Sequence, residues 1–561
     1  MIKKLYLYDL DIKHIKLFNR IYKAEKKNYI HYLSKIFKHQ KNLKIISPFF
    51  GRINGFNSVY PLICKTKLIR IILKGNKSCK YHIWTNSYIE YIHLKKNFEN
   101  QKIFLRSSIV KRIFFPISPY VKIIYRFFFL IYFTLFEILN KSKNRKNLII
   151  QSKNIILLDT TLMKATFNNK NNVFLDRFYG DMFKKKAAGS NFFIAPENLL
   201  FKDTKKYLEK IKKEKNNFIF RFDFLNITDY IKALNITGLE NLNFDKRFYQ
   251  YQSIKLDYSI FNDKMNSKFN INFYVGILNY FFFKRLYDNK VKLKNVINWN
   301  ENQSADKGFI LGSKKFFPKI PIKGFACYFV NYDYYFDKQP LACEFEKNLV
   351  PDSLFVPTIL NTIKIKKFCK KISVDEAPLF RFKSLLATVN KKKKQLKNSI
   401  SVFLPFERIE ATHIIIQLSK SNFILSNNIE VVVKPHPDMS NKFINQLLQI
   451  CQNRFIFLNQ PLDIIMQKTN LVISTSSSST IEAIFHGKFV ISPINTNLLV
   501  DTPIANIIPK KYYNISYTAD DLDKKISRYL LMQKKHNFSF IKYKQILFSK
   551  SEKKKYINLI S

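Results

Sequence analysis

Lys434 and His436 stand two residues apart in VVVKPHPDMS (431–440), and a proline follows each of them. A cation and an imidazole on a chain with two locked φ angles suit donation to a fixed anion such as a phosphate. By itself the K-P-H-P run reads equally well as a strand terminator. Further on, LVISTSSSSTIEAIFHGKFVIS (471–492) places Ser476, Ser477, Ser478, Ser479 and Thr480 in a turn that enters a helix. There, hydroxyls and backbone amides meet the end of the helix dipole that favours an anion. Capping a helix takes one Ser or Thr, and five in succession exceed that need. Glu482 falls on the first helical turn, where it takes a pair of ribose hydroxyls or simply complements the dipole.

A transfer that releases a phosphate also needs a base for the incoming hydroxyl. Glu301 and Asp306, in INWNENQSADKGFILG (297–312), are the first candidates, and Asp181, in RFYGDMF, is the reserve. Each reads alternatively as a helix cap or as an ion-pair partner of Lys307 or Arg177. No D-x-D stands at a strand end, and NYDYYFD (331–337) separates its acids by three residues. A divalent metal is therefore not expected. Trp299, Tyr332, Tyr334 and Tyr335 are candidates to stack on sugar faces.

The elements that must hold these residues are legible as alternation. From residue 151, KNIILLDT reads as a strand, RFYGDMFKKKAAG as a helix, NFFIAP as a strand, TKKYLEKIKKEK as a helix, NNFIFRFDFL as a strand and ITDYIKAL as a helix. NKKKKQLKN (390–398) is a polar break. After it SISVFLPF, IEVVVKPHP, RFIFLN, LVIST and KFVIS read as strands separated by helices. Such alternation predicts parallel sheets covered by helices, with ligands beyond the carboxyl ends of the strands. Five regions are expected: an N-terminal α/β extension (1–100), a basic apolar helical segment (101–150), one Rossmann-like unit (151–390), a second (391–535), and a basic, mobile tail (536–561). Only eleven glycines occur, with no G-x-G-x-x-G and no G-x-x-x-x-G-K-[ST]. That argues against a dinucleotide oxidoreductase and a P-loop ATPase.

Ninety-six Lys and Arg against forty Asp and Glu give a net charge of +56. An AT-rich genome accounts for many lysines but not for the shortage of acids. The surplus favours anionic partners, membrane headgroups or phosphorylated substrates before nucleic acid, because the lysines are spread along the chain without a recognisable nucleic-acid module. Six scattered cysteines form no C-x-x-C pair, which fits a reducing cytoplasm. The N-terminus lacks the pattern of a signal peptide. VKIIYRFFFLIYFTLFEILNKSK (121–143) has ten uncharged residues between Arg126 and Glu137, short of the ~20 needed to span a bilayer. With basic shoulders it reads as an interfacial anchor, or alternatively as a core helix between domains.

In their order and spacing, K-P-H-P and the serine run resemble the donor domain of GT-B fold glycosyltransferases, with HP and serine motifs similar to those of bacterial sialyl- and polysialyltransferase relatives. ENQSADKG (301–308) with LVPDSLFVPT (349–358) and DRFYGDMF resembles a narrower family of surface carbohydrate (O-antigen or capsule) biosynthesis proteins. Together the likeness covers about residues 150 to 530.

The resemblance implies an α/β, GT-B-like fold of two Rossmann-like domains facing a cleft. It also implies His436, Ser477 and Ser478 on the donor's phosphate and Glu482 on ribose. The expected activity is transfer of a sugar from a nucleotide-sugar donor to a lipid-linked glycan acceptor, without cofactor or metal and with inversion. The expected place is the cytoplasmic face of the cell membrane, against anionic lipid. The rivals are a polyol-phosphate transferase using a CDP-linked donor, a nucleotide-sugar epimerase, and a non-catalytic membrane- or nucleic-acid-binding protein.

Overall fold

The structure is a computed structural model. It describes residues 2–40, 42–51, 58–75, 79–107, 117–161, 191–197, 208–211, 217–239, 245–382, 399–469, 471–505, 507–531 and 552–560, with Phe174, Asp176, 178–180 and Met182. The candidate Asp181, its alternative partner Arg177 and the polar break at 390–398 lie outside the described residues.

A small parallel sheet opens the chain, with β1 (Ile2–Tyr6), β2 (Lys80–Thr85) and β3 (Lys102–Leu105) in the order β1-β2-β3. The first large sheet contains β4 (Ile155–Thr161), β5 (Asn191–Glu197) and β6 (Asn217–Phe218). After a short hairpin of β7 (Gln250–Tyr251) and β8 (Ile254–Lys255) come β9 (Leu293–Trp299), β10 (Ile322–Phe325), β11 (Ser353–Val356) and β12 (Ser373–Glu376). The second large sheet contains β13 (Ser399–Phe403), β14 (Glu430–Lys434), β15 (Ile456–Phe457), β16 (Leu471–Ser474), β17 (Phe489–Pro493) and β18 (Tyr513–Ser516).

Each large sheet is wound the same way. Their orders are β12-β11-β10-β9-β4-β5-β6 and β15-β14-β13-β16-β17-β18, and every pairing is parallel. The second follows 3-2-1-4-5-6 when read from its first strand, the doubly wound Rossmann order. The first is wound outward in both directions from its centre in the same manner, with one more strand. The fold is therefore α/β with two Rossmann-like units, as expected. Their central strands are buried on both faces: all of Ser399–Phe403, Leu471–Ser474 and Phe489–Pro493 is buried, as parallel sheets require. The order reverses between β4 and β9 and between β13 and β16. At those two points the connections leave in opposite directions and open a crevice beyond the strand ends.

Close backbone packing fixes the loop after β9. The helix Ser304–Phe316 lies against the helix Ile271–Asp288, and a Cβ on Gly308 would sit 1.8 Å from the carbonyl oxygen of Gly276. No side chain fits there, so this contact sets the angle at which the Glu301–Asp306 loop enters its helix. In the second unit Gly487, at φ +70°, ends the helix Ser479–Phe485 and turns the chain into β17.

Three local expectations are corrected. Of the helix expected at 177–189, residues 177, 181 and 183–189 lie outside the described residues, and 178–180 form no helix: Gly180 sits at φ +54° and bridges back to Asp176, whose carboxylate accepts the amides of Phe178 (2.7 Å) and Tyr179 (2.8 Å). The expected strand at 216–225 is a strand only at Asn217–Phe218. It breaks at Arg221–Asp223 because Asp223 accepts the amide of Phe220 at 3.0 Å and two bonds from Arg145. Within the tail expected to be mobile, Glu552–Ile560 is instead a helix docked on the first unit. Asn295 there donates to the carbonyls of Leu559 and Ile560, at 3.3 and 3.1 Å, and Lys323 donates to that of Asn558 at 2.8 Å.

The basic apolar segment is the helix Ser118–Leu139, and it is not a core helix. Only Leu130, Phe133 and Glu137 are buried, whereas Tyr125, Phe128, Tyr132, Leu135 and Leu139 are exposed. Among the described residues no helix is long and apolar enough to cross a membrane.

Candidate functional site

Both candidate stretches emerge at the carboxyl ends of switch-point strands. Glu301 and Asp306 follow β9, next to β4. The serine run follows β16, next to β13, and Lys434 ends β14 on the other side of β13. This is the place where open parallel sheets hold ligands.

After β9 the chain turns at Asn302, in the left-handed region at φ 59°, which asparagine tolerates better than most residues. Asp306 then closes the loop by accepting the amides of Glu301 and Gln303, each at 2.9 Å. Burial pushes the Asp306 carboxyl up to about 7, helped by the charge of Glu301 and opposed by those two amides. The Glu301 carboxylate takes Lys338 at 3.0 Å, Gln303 at 2.8 Å and the Trp299 indole at 3.1 Å. Burial pushes it up, but Lys338 and these bonds outweigh burial and leave it below its ordinary value. Asp306 is thus a helix cap, and Glu301 is an ion-pair partner whose side chain keeps 36% exposure. Lys307 is not the partner of either, since it is fully buried against Glu344 at 2.8 Å.

In the second unit Lys434 donates to the carbonyl of Gln460 at 2.6 Å, and burial lowers its pKa. His436 is part-exposed. Its Nδ1 lies 3.4 Å from the Asp438 carboxylate, and its ring meets Phe406 edge-on at 5.4 Å. The serine run divides into two layers. Ser479 and Thr480 are internal, through the Ser479 hydroxyl 3.1 Å from that of Ser474 and the Thr480 hydroxyl donating to Ser477 at 2.6 Å. Ser476, Ser477 and Ser478 are part-exposed, as is Glu482. The helix they enter has only seven residues, so hydroxyls and amides matter more here than a macrodipole.

Residues 335–338 join the two halves. Tyr335 donates to Asp501 of the second unit at 2.8 Å, while Lys338, three positions on, holds Glu301 of the first. Asp501 also accepts from Asn495 at 2.9 Å. On the far side of the serine run, the Ser476 hydroxyl donates to Glu410 at 3.2 Å. Polar contacts therefore run from Asp306 through Glu301 to Lys338 and, three residues back along the chain, from Tyr335 to Asp501, while Glu410 and Ser476 form a contact of their own. The loop carrying Asp501 is braced by the N-terminal extension, for Asn19 donates to the carbonyl of Leu498 (2.8 Å) and accepts from Val500 (2.9 Å). Asn331 adds a bond to the carbonyl of Val500 at 3.1 Å.

Three of the four aromatic candidates are core. Tyr332 and Tyr334 are 1% exposed, and Trp299 stacks on Phe178 at 3.7 Å. Tyr335 serves through its hydroxyl. Sequence reading missed Lys338, Asp501 and Glu410. Glu410 had a usable signal, a carboxylate on the first helical turn after the first strand of a doubly wound unit. Asp501 had none, because its loop has no periodicity. Among the described residues no group of His, Cys, Asp and Glu is arranged to hold a metal.

No protein-family model matches the chain, and no curated protein matches it. Several solved structures are similar in chain course. TarM matches at 11% identity over 73% of this chain and 99% of its own, with a TM-score of 0.41. The UDP-GlcNAc 2-epimerase of Neisseria meningitidis, bound to UDP-GlcNAc, matches at 11% over 70% and 94%, with a TM-score of 0.39. A glycosyltransferase of Rickettsia africae ESF-5 matches at 11% over 73% and 95%, with a TM-score of 0.37. Likeness at this level bears on neither substrate nor residue roles.

Proposed function

We propose that the chain is a glycosyltransferase that moves a sugar from a nucleotide-activated donor to a lipid-linked surface glycan. The observation that carries this reading is the placement of two unlike sets of groups at the carboxyl ends of the central strands of two units that are joined through Tyr335 and Asp501. One set holds a carboxylate and its lysine, and the other holds a cation, an imidazole and a row of part-exposed hydroxyls. A donor phosphate would take the second set, with His436, Ser477 and Ser478 donating and Glu482 holding ribose. The acceptor hydroxyl would approach the first set.

Between the two acids, Glu301 is the one with exposure, so proton abstraction falls to it. Asp306 acts by holding the Glu301 loop in place. A base in one unit and phosphate donors in the other suit direct displacement, with the hydroxyl attacking the sugar carbon as the phosphate departs, and hence inversion.

The lipid-linked acceptor and the membrane location rest on the helix Ser118–Leu139. Its exposed row of Tyr125, Phe128, Tyr132, Leu135 and Leu139 is flanked by the exposed Lys122, Lys141 and Lys143. Apolar side chains with basic shoulders suit an anionic lipid surface.

The test is thermal unfolding of the full chain with CMP, CDP, UDP and GDP in turn. Saturation at ~100 times the dissociation constant stabilises a folded protein by ~2.7 kcal/mol. A rise in melting temperature with one nucleotide, lost in His436→Ala, is the expected result. No rise with any of the four would overturn the transferase reading. A rise confined to cytidine nucleotides, followed by glycerol-phosphate transfer in place of sugar transfer, would favour the polyol-phosphate class.

A further inference from the structure

The helix Ile12–Lys38 and the segment 247–252 enclose a cavity of about 570 Å³, whose lining includes none of the groups assigned to donor or acceptor above. The helix supplies His31, Lys35, Lys38 and its capping residue His39, all exposed, and Arg247 lines the other wall. No acid lines it. Two acids beside it are engaged: Asp245 pairs with Arg247 at 2.6 Å, and Glu25 accepts from Lys67 and Tyr251. The walls are pinned together. The Tyr32 hydroxyl donates to the carbonyl of Phe248, the rings of Tyr32 and Tyr251 meet edge-on at 5.3 Å, and those of His39 and Phe248 lie 5.7 Å apart.

One lining residue holds a backbone conformation that works against stability. Gln252 is the first of the two turn residues between β7 and β8 and sits at φ 53°, a position where such turns favour glycine. Glutamine has neither glycine's freedom nor asparagine's short side chain to offset the left-handed conformation. Arg70 fixes the turn, donating to the Ser253 hydroxyl at 2.6 Å and to its carbonyl at 3.1 Å. A strained residue that its surroundings hold over a cavity is a sign of function at that cavity.

We propose that this cavity binds an acidic sugar, a saccharide unit that carries a carboxylate or a phosphate. Lysines, an arginine and two imidazoles suit the acid group. The carboxamides of Asn28, Gln250 and Gln252, which also line the cavity, both donate and accept, as sugar hydroxyls do. The Tyr32 and Phe248 rings offer an apolar surface to the sugar's CH face. The volume is that of an ordinary small-ligand pocket. Complementing the helix dipole accounts for Lys35 and Lys38 in the last turn. It does not account for His31 one turn earlier, for Arg247 on the other wall, or for Gln252. A lipid surface would take exposed apolar side chains among the cations, whereas here the rings are buried or half-buried within a recess. The site does not depend on the nucleotide-donor reading and goes beyond it.

The experiment is calorimetric titration of the full chain with a glucuronate-containing tetrasaccharide, glucose 6-phosphate, neutral maltotetraose and inorganic phosphate. One or both acidic sugars should bind, about tenfold or more tighter than maltotetraose and inorganic phosphate. Which of the two binds tells carboxylate from phosphate. Lys35→Ala with Lys38→Ala should weaken the acidic sugar about tenfold. Gln252→Gly should weaken it severalfold while melting no lower than wild type, the reverse of what a glutamine kept for the turn would do. His436→Ala should leave its affinity unchanged, which separates this cavity from the donor site. The proposal is overturned if neither acidic sugar binds, or if maltotetraose or inorganic phosphate binds as well. It is also overturned if either cavity variant binds like wild type, or if His436→Ala abolishes binding. Loss of phosphatidylglycerol-vesicle binding in the lysine variant, without sugar binding to wild type, would assign these cations to lipid instead. Should the lysine variant fail to fold, Arg247→Gln decides by the same criterion.

Discussion

The phenol of Tyr335 donates to the carboxylate of Asp501 at 2.8 Å, across the space between the two units. Three residues later Lys338 holds Glu301. One short turn, Phe336–Lys338, therefore connects the acidic edge of the first sheet to the serine edge of the second. Any change in how the units sit is felt at both.

Tyr335→Phe keeps the ring and removes the bridge. Asp501 then retains only Asn495 as donor to Oδ2. Loss of a hydrogen bond to a buried carboxyl should cost about 1–3 kcal/mol, read as a lower melting temperature, and nucleotide affinity should fall as well. An unchanged melting temperature would mean that the bridge contributes nothing to holding the units together.

The Asp306 carboxyl shapes the pH dependence of stability. Its folded pKa is raised from 3.8 to about 7, chiefly by burial. Between those values the folded chain holds a proton that the unfolded chain releases, so this group's contribution weakens as pH rises and is least favourable above about 7. Asp306→Asn removes the titration, and its melting temperature relative to wild type should climb by a few degrees from pH 5 to pH 8. A constant difference over that range would refute the assignment.

Lys555 and Glu376 are 0% and 1% exposed and lie 3.3 Å apart, so the C-terminal helix plugs a charge into the first unit. Removing one partner of a buried pair costs about 3–5 kcal/mol. Lys555→Met should lower the melting temperature markedly, and Lys555→Met with Glu376→Leu should recover part of the loss. If the single and double variants melt alike, the two charges are not coupled.

Phe128 and Leu135 are 63% and 54% exposed on the helix Ser118–Leu139. The double variant Phe128→Asp with Leu135→Asp should fold normally, because neither side chain is in the core. It should also lose sedimentation with phosphatidylglycerol vesicles at physiological salt. Retained sedimentation would place the lipid contact on another surface.

The sequence alone determined the doubly wound class. Alternating apolar strands and helices are local signals, and they placed β4, β5, β13, β14, β16 and β17 correctly. It also located the K-P-H-P loop and the serine run at strand ends, since a polar, hydroxyl-rich stretch directly after a buried strand can only lie at the sheet's edge. Where local periodicity was overridden by a long-range partner, as when Arg145 seizes Asp223 and breaks the strand at 216–225, the reading failed.

What only the tertiary structure decided is which charges meet. Lys338 goes to Glu301 and Lys307 goes to Glu344, although Lys307 is the nearer in sequence to both Glu301 and Asp306. Tyr335 and Asp501 meet across 166 positions of sequence, through a loop braced by Asn19, a separation that leaves no trace in local pattern. Periodicity reports which face of an element is buried. It does not report what that face is buried against, and the chemistry of this cleft depends on the second question.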